Sequence, residues 1–110
     1  MRRNKRIETF ERDNALVDII YNHKGKENAI GTRDLAHALN ERGYSVRADA
    51  IHTIVNNVMR ERHLPICSVT TIGYFWTKSK QDIRAGIDEL QGRIYGLQER
   101  INLLESFICE

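Results

Sequence analysis

SVRADAIHTIVNNVMRERHLPICSVTTIGYFW, residues 45–76, changes its period in the middle. Before Pro65 the apolar residues Ile51, Ile54, Val55, Val58 and Met59 recur three and four apart, as one stripe of an α-helix does. Pro65 has no backbone N–H to continue that helix. Beyond it, Ile66-Cys67-Ser68-Val69 and Tyr74-Phe75-Trp76-Thr77 are short β-rich runs divided by Thr70-Thr71-Ile72-Gly73, the pattern of a hairpin. The stretch therefore predicts a helix capped by Ser45 and running to about His63, followed by two antiparallel strands. Alternation along the second strand sends Tyr74 and Trp76 to the core.

Toward the N-terminus, RDLAHALNER (residues 33–42) carries Leu35, Ala36 and Leu39 on one face. Thr32 precedes it as an N-cap candidate, and Gly43 follows as a C-terminal glycine. Asn28–Gly31 reads as a short connection with one β-bridge. An earlier helix over about residues 8–23 is predicted from Phe10, Ala15, Leu16, Ile19 and Ile20, and Gly25 ends it. Residues 1–7, with Arg2, Arg3, Lys5 and Arg6, read as a basic arm.

A short capped helix, a glycine turn and a longer helix form a helix-turn-helix candidate, and the hairpin after it forms a wing. A helix of this kind fits the DNA major groove. With Ile51 and its companions turned inward, Asp49, Thr53, Asn56, Asn57 and Arg60 face outward at 100° per residue. Asn pairs well with adenine and Arg with guanine, while Thr contacts several bases. Arg47, Thr32 and Arg33, near two helix starts, suit phosphates. The wing residues Thr70 and Thr71, flanking Lys78 and the basic arm complete the expected DNA-binding set.

The stretch resembles the winged-helix modules of small bacterial and phage DNA-binding proteins. It is especially similar to the biotin-repressor-type helix-turn-helix domain, through Pro65, Ile66, Ser68, Gly73 and Tyr74 after Arg60-Glu61-Arg62. The similarity covers about residues 12–78 and implies a DNA-binding role. It departs from that pattern at His63, where the family places glycine, and at a wing tip without Arg or Lys.

Toward the C-terminus, Ser79 precedes a long helix with Asp82 in its first turn. Ile83, Ile87, Leu90, Ile94, Leu97, Ile101, Leu104 and Ile108 follow at alternating steps of four and three, a heptad repeat. Isoleucine falls at a and leucine mainly at d, a choice that favours parallel two-stranded coils. Arg100 at g also faces Glu105 at e of a parallel partner, whereas an antiparallel pair brings g positions together. Gly86, Gly92 and Gly96 weaken the helix by about 1 kcal/mol each against alanine. Leu103 and Phe107 form a second, looser stripe, suited to the first helix through Phe10 or to a further subunit, and the first and last helices are expected to pack together at the dimer interface. The predicted fold class is thus mainly α with a small β-hairpin. Its parts are a basic arm (1–7), a winged helix-turn-helix head (8–78) and a coiled-coil dimerisation helix (79–110).

Composition restricts the function classes. The 110 residues carry a net charge of +2. Residues 1–80 hold 14 Lys/Arg against 9 Asp/Glu, and residues 81–110 hold 3 against 6, so the excess lies in the head. An anionic partner for the head fits this asymmetry. No apolar run approaches membrane-spanning length and no signal-peptide core follows the basic start, so a cytoplasmic protein is expected. Cys67 and Cys109 form no CxxC, and His23, His37, His52 and His63 lack metal-ligand spacing. No phosphate loop or nucleophile–base motif points to an enzyme, a cofactor or a small-molecule ligand. The expectation is a homodimeric regulator of transcription or replication that reads an inverted repeat in double-stranded DNA. The alternative is a winged-helix adaptor, such as a phage protein that docks on a host factor.

Overall fold

The computed structural model describes residues 5–69 and 72–109. Among the described residues four α-helices, α1 (Lys5–Tyr21), α2 (Thr32–Glu41), α3 (Ile51–Arg62) and α4 (Lys80–Ile108), are joined by short connections. An antiparallel hairpin, β1 (Ile66–Val69) and β2 (Gly73–Trp76), stands between α3 and α4. Its register pairs Ile66 with Trp76 and Val69 with Gly73.

The core is where the apolar stripes of the first three helices meet the hairpin. Leu16, Ile20, Leu35, Leu39, Ile51, Val55 and Val58 are fully buried, with Ile30, Ile66 and Tyr74 beside them. Tyr74 is buried as expected, and Trp76 is half-buried with its ring 5.1 Å edge-on from that of Tyr21. Phe75, the residue between them, is buried too, so both faces of β2 are covered. α1 packs on β2 and α4 packs on β1.

α1 begins at Lys5, within the segment expected to be an arm, and ends at Tyr21 rather than near residue 23. Its end is set from outside the helix: His23 O accepts from Trp76 N at 2.9 Å, drawing Lys24 into a bridge with β2. Arg2 and Arg3 lie outside the described residues, as do Thr70 and Thr71. The connection before α2 carries the expected bridge, Ile30 and Tyr74 exchanging two backbone hydrogen bonds of 2.8 Å. Gly73 makes this approach possible. Its φ is +122°, and a Cβ there would stand 2.1 Å from Ile30 O.

Two caps differ from those expected. Gly31, not Thr32, is the N-cap of α2, and Thr32 is its first helical residue. Ser45 does not cap α3. Instead Val46 is buried, Arg47 is extended and a 3-10 turn over Ala48–Ala50 leads into Ile51. The reason is the Asn40 side chain, which accepts from Val46 N at 2.7 Å and donates to Val46 O at 3.1 Å. This amide clamp holds the chain extended where a longer helix would otherwise start. Gly43, at φ +96°, closes α2 as expected. His63 ends α3 in the left-handed conformation, φ 53° and ψ 61°, where the winged-helix pattern places glycine. The histidine thus adopts the backbone geometry for which glycine is usually selected.

The junction into α4 is built by three side chains. Ser79 accepts from Asp82 N at 3.3 Å. Thr77, which is buried, donates its hydroxyl to the Asp82 carboxylate at 3.0 Å and accepts from Ser79 N at 3.0 Å. Asp82 also complements the dipole of the helix N-terminus. We expect Asp82→Ala to lower unfolding stability by about 0.5–2 kcal/mol, as loss of a cap does, measured by urea denaturation.

Beyond its first turns α4 leaves the head, and the molecule reaches 61 Å in its longest dimension. No residue of this helix is buried. The heptad residues from Ile87 onward are all exposed, from 37% at Ile87 and 47% at Ile101 to 82% at Ile108. Phe10 does not reach α4 within the chain. It is exposed, and the Arg62 guanidinium lies over its ring at 5.2 Å. No described helix is long and apolar enough to cross a membrane.

Candidate nucleic-acid interface

α3 presents two faces. Ile51, Ile54, Val55 and Val58 anchor it in the core, and Thr53, Asn56, Asn57 and Arg60 are all exposed on the other side. The helix is fixed at both ends. The Asn40 clamp sets its entry from α2, and Arg62 donates to Asn14 of α1 at 2.7 Å near its exit. The polar residues therefore project from a rigid element, as direct base readout requires.

The cations around this face are unequal. Arg47 donates to the Asp49 carboxylate at 3.1 Å, both residues being exposed. Asp49 thus neutralises the cation nearest the start of α3, and an exposed pair of this kind is weak enough to exchange for a phosphate. Arg33 is exposed in the first turn of α2. Lys5 and Arg6 lie at the start of α1, lining a shallow cavity of about 430 Å³ with Glu61 and Arg62 at the end of α3. Lys78 sits apart, at the open end of the hairpin with Tyr21, Lys24 and Trp76.

Thr32 belongs to a different environment. It lines a cavity of about 290 Å³ with His52, Ser68, Tyr74 and Arg93. The Tyr74 hydroxyl and His52 Nδ1 are hydrogen-bonded there. Burial raises the Tyr74 phenol above its ordinary pKa, and the Arg93 guanidinium opposes that rise.

Next to it runs an apolar groove of about 280 Å³ between the head and α4. His52, Asn56 and Met59 of α3 and Ile66 and Cys67 of β1 line one side, and Ile83, Gly86, Ile87, Leu90 and Arg93 line the other. At Gly86 an added Cβ would lie 3.9 Å from Cys67 Sγ, an ordinary van der Waals contact. Burial, then the nearby Asp82 carboxylate, raises the Cys67 thiol pKa, so this cysteine stays protonated at neutral pH.

Thr53, Asn57 and Arg60 thus form one surface with Asn56 at its edge, and Asn56 also borders α4. His52 and Arg93 join the site although nothing in their spacing announced them. The signal for the groove was Gly86, a glycine inside a heptad at the position where α4 meets β1. Among the described residues no cluster of His, Cys, Asp and Glu could hold a metal ion. No known protein family, curated protein or solved structure matches this chain.

Proposed function

We propose that this chain is a homodimeric, sequence-specific double-stranded DNA-binding protein of transcriptional or replication control. In this reading α2, the Asn40-clamped turn and α3 are a helix-turn-helix, and β1–β2 is its wing. The observation that carries the reading is the exposed polar face of α3 on an element fixed at both ends. Thr53, Asn56, Asn57 and Arg60 meet base edges, while Arg33, Arg47, Lys5 and Arg6 meet phosphates. Arg2, Arg3, Thr70, Thr71 and Lys78 are peripheral contacts of the same proposal. Self-association rests on the bare heptad stripe of α4, and two-fold symmetry makes the site an inverted repeat. The protein acts in the cytoplasm of a bacterium or an infected host cell.

Selection from a random duplex library, followed by fluorescence anisotropy, tests the reading. Arg60→Ala is expected to weaken the selected site by roughly 5- to 150-fold, equivalent to about 1–3 kcal/mol, and to relax preference at one base pair per half-site. Equal affinity of Arg60→Ala for all sequences tested, at wild-type strength, removes α3 as the reading element.

A second reading, a winged-helix adaptor for a protein partner, is favoured by the Arg47–Asp49 pair and by the apolar groove beside Asn56. It predicts no retention on a DNA column at low salt, whereas the first predicts retention that falls steeply with salt.

A further inference from the structure

The open end of the hairpin gathers charge that the rest of the molecule lacks. Residues 23–27 and 76–80 hold four lysines, Lys24, Lys26, Lys78 and Lys80, against one acid, Glu27, a balance of +3. The whole chain carries only +2, so the remaining residues sum to −1. The two segments are far apart in sequence, and the fold lays them side by side. Trp76 N donates to His23 O at 2.9 Å and Gly25 N donates to Trp76 O at 3.0 Å, the backbone bonds of the Lys24–Trp76 bridge. The loop is braced from its other side as well. Asn28 Nδ2 donates to Lys24 O at 2.8 Å, and His23 Nδ1 donates to Asn28 O at 2.8 Å. The lysines therefore stand on a prearranged frame, which lowers the ordering cost of binding.

An aromatic corner lies between them. Tyr21 and Trp76 meet edge to face, 5.1 Å between ring centroids and 74° between planes. With Lys24, Gly25, Thr77 and Lys78 they line an open cavity of about 420 Å³, within the roughly 300–1,000 Å³ of small-ligand sites. Tyr21 is exposed and Trp76 half-buried, so ring surface is accessible there. Lys24 Nζ rests 4.1 Å from the centre of the Tyr21 ring. An exposed cation–π contact is weak, so this ammonium can turn to an anion at little cost. The Asp82 carboxylate is taken up by the Thr77 hydroxyl, and the Glu27 carboxylate folds against Gly25.

Flat apolar surface interleaved with cations matches one kind of ligand, a chain of planar bases on a phosphate backbone. In a duplex the base faces are hidden in the stack, and only unpaired bases can lie on an aromatic side chain. We propose that this corner is a second nucleic-acid site, which holds an unpaired single strand with bases on Tyr21 and Trp76 and phosphates on Lys24, Lys26, Lys78 and Lys80. None of the cavity-lining residues belongs to α3, so the site is separate from the duplex-reading face proposed above and does not rest on it. Lys78, peripheral in that reading, is central in this one. Every base has a face to stack, so the strand is held with little sequence preference.

Trp76 is the only tryptophan, so its fluorescence reports on the corner directly. Full-length protein is titrated at low salt with an oligothymidylate of about 8 nucleotides, inside the roughly 4–16 that single-strand sites cover. Saturable quenching is expected, with an affinity that falls as salt rises. An oligomer of the same length without bases should bind roughly 5- to 150-fold more weakly, because stacking is lost. Lys24→Ala combined with Lys78→Ala should lower the slope of log affinity against log salt by about 1.4, about 0.7 for each phosphate contact. Oligouridylate is titrated in parallel; the tighter strand identifies RNA or DNA as the ligand, and either supports the site.

No quenching by about 100 µM strand, the weak end of non-specific binding, overturns the proposal. Equal affinity for the base-free oligomer overturns it too, since the lysines then attract any polyanion. An unchanged salt slope in the double variant removes these lysines as the phosphate contacts. Arg60→Ala should leave the quenching curve as it was; loss of quenching in that variant places the strand on α3 and overturns the separate site. Failure here leaves duplex selection by α3 standing, and failure of that selection leaves these titrations standing.

Discussion

A chain carrying Ile94→Lys and Ile101→Lys is expected to scatter light as a monomer at concentrations where the unaltered chain is a dimer. Both isoleucines are exposed within the single chain and have no core to leave, so the folded head should be unaffected. Burying each is worth on the order of 1.5–3 kcal/mol, and a symmetric dimer contains every position twice. Placing four ammonium groups in the seam adds desolvation to that loss. The dissociation constant is therefore expected to rise by well over about 100-fold, each 1.4 kcal/mol counting as a factor of ten. Affinity for a two-half-site duplex should fall by roughly 100-fold or more, because the second head loses its effective concentration. Binding to a single half-site should hardly change. A double variant that remains a dimer locates the interface elsewhere.

The second large effect concerns the head. Ile51→Ala is expected to lower unfolding free energy by about 2–5 kcal/mol, while Ile51→Val costs only about 0.5–1.5 kcal/mol. Ile51 is fully buried at the first α-helical residue of α3, just after the 3-10 turn that the Asn40 clamp permits. Its side chain thus fixes both the stability of the core and the placement of the polar face. Against a typical total of about 5–15 kcal/mol for a small domain, the alanine change removes a large share. Urea denaturation followed by the signal of Trp76, the only tryptophan, gives the measurement. A loss below about 1 kcal/mol for Ile51→Ala would mean that α3 is not anchored as described.

How much of this was legible beforehand depended on whether the governing contact was local. The hairpin, the Gly43 stop, the Ser79 cap and the 29-residue final helix are all written in short-range spacing, and the structure has them in place. The start of α3 is not written locally. Ser45 is a sound cap by type, but Asn40, six residues before Val46, holds the chain extended there. The end of α1 is set from a distance too, since a backbone bond from Trp76 reaches His23 across more than fifty residues. Thr32 suits a cap by residue type, but Gly31 supplies the half-helical residue and leaves Thr32 in the first turn.

The candidate site divides along the same line. Helical periodicity alone placed Thr53, Asn56, Asn57 and Arg60 opposite the core. It carried no information about α4 passing beside Asn56, about His52 bonding to Tyr74, or about Asp49 pairing with Arg47. The first two depend on how elements distant in sequence are stacked, whereas the Arg47–Asp49 pair lies within one turn and depends on the local backbone before α3.

From its order of residues alone, the chain already specified three amphipathic helices, one hairpin and a long final helix with a heptad stripe, because each follows from side chains a few positions apart. Tertiary packing decided which edge of that stripe faces the head, and with it which part of the final helix stays exposed. A seam is written by periodicity, but the space in front of it is set by whatever else folds there.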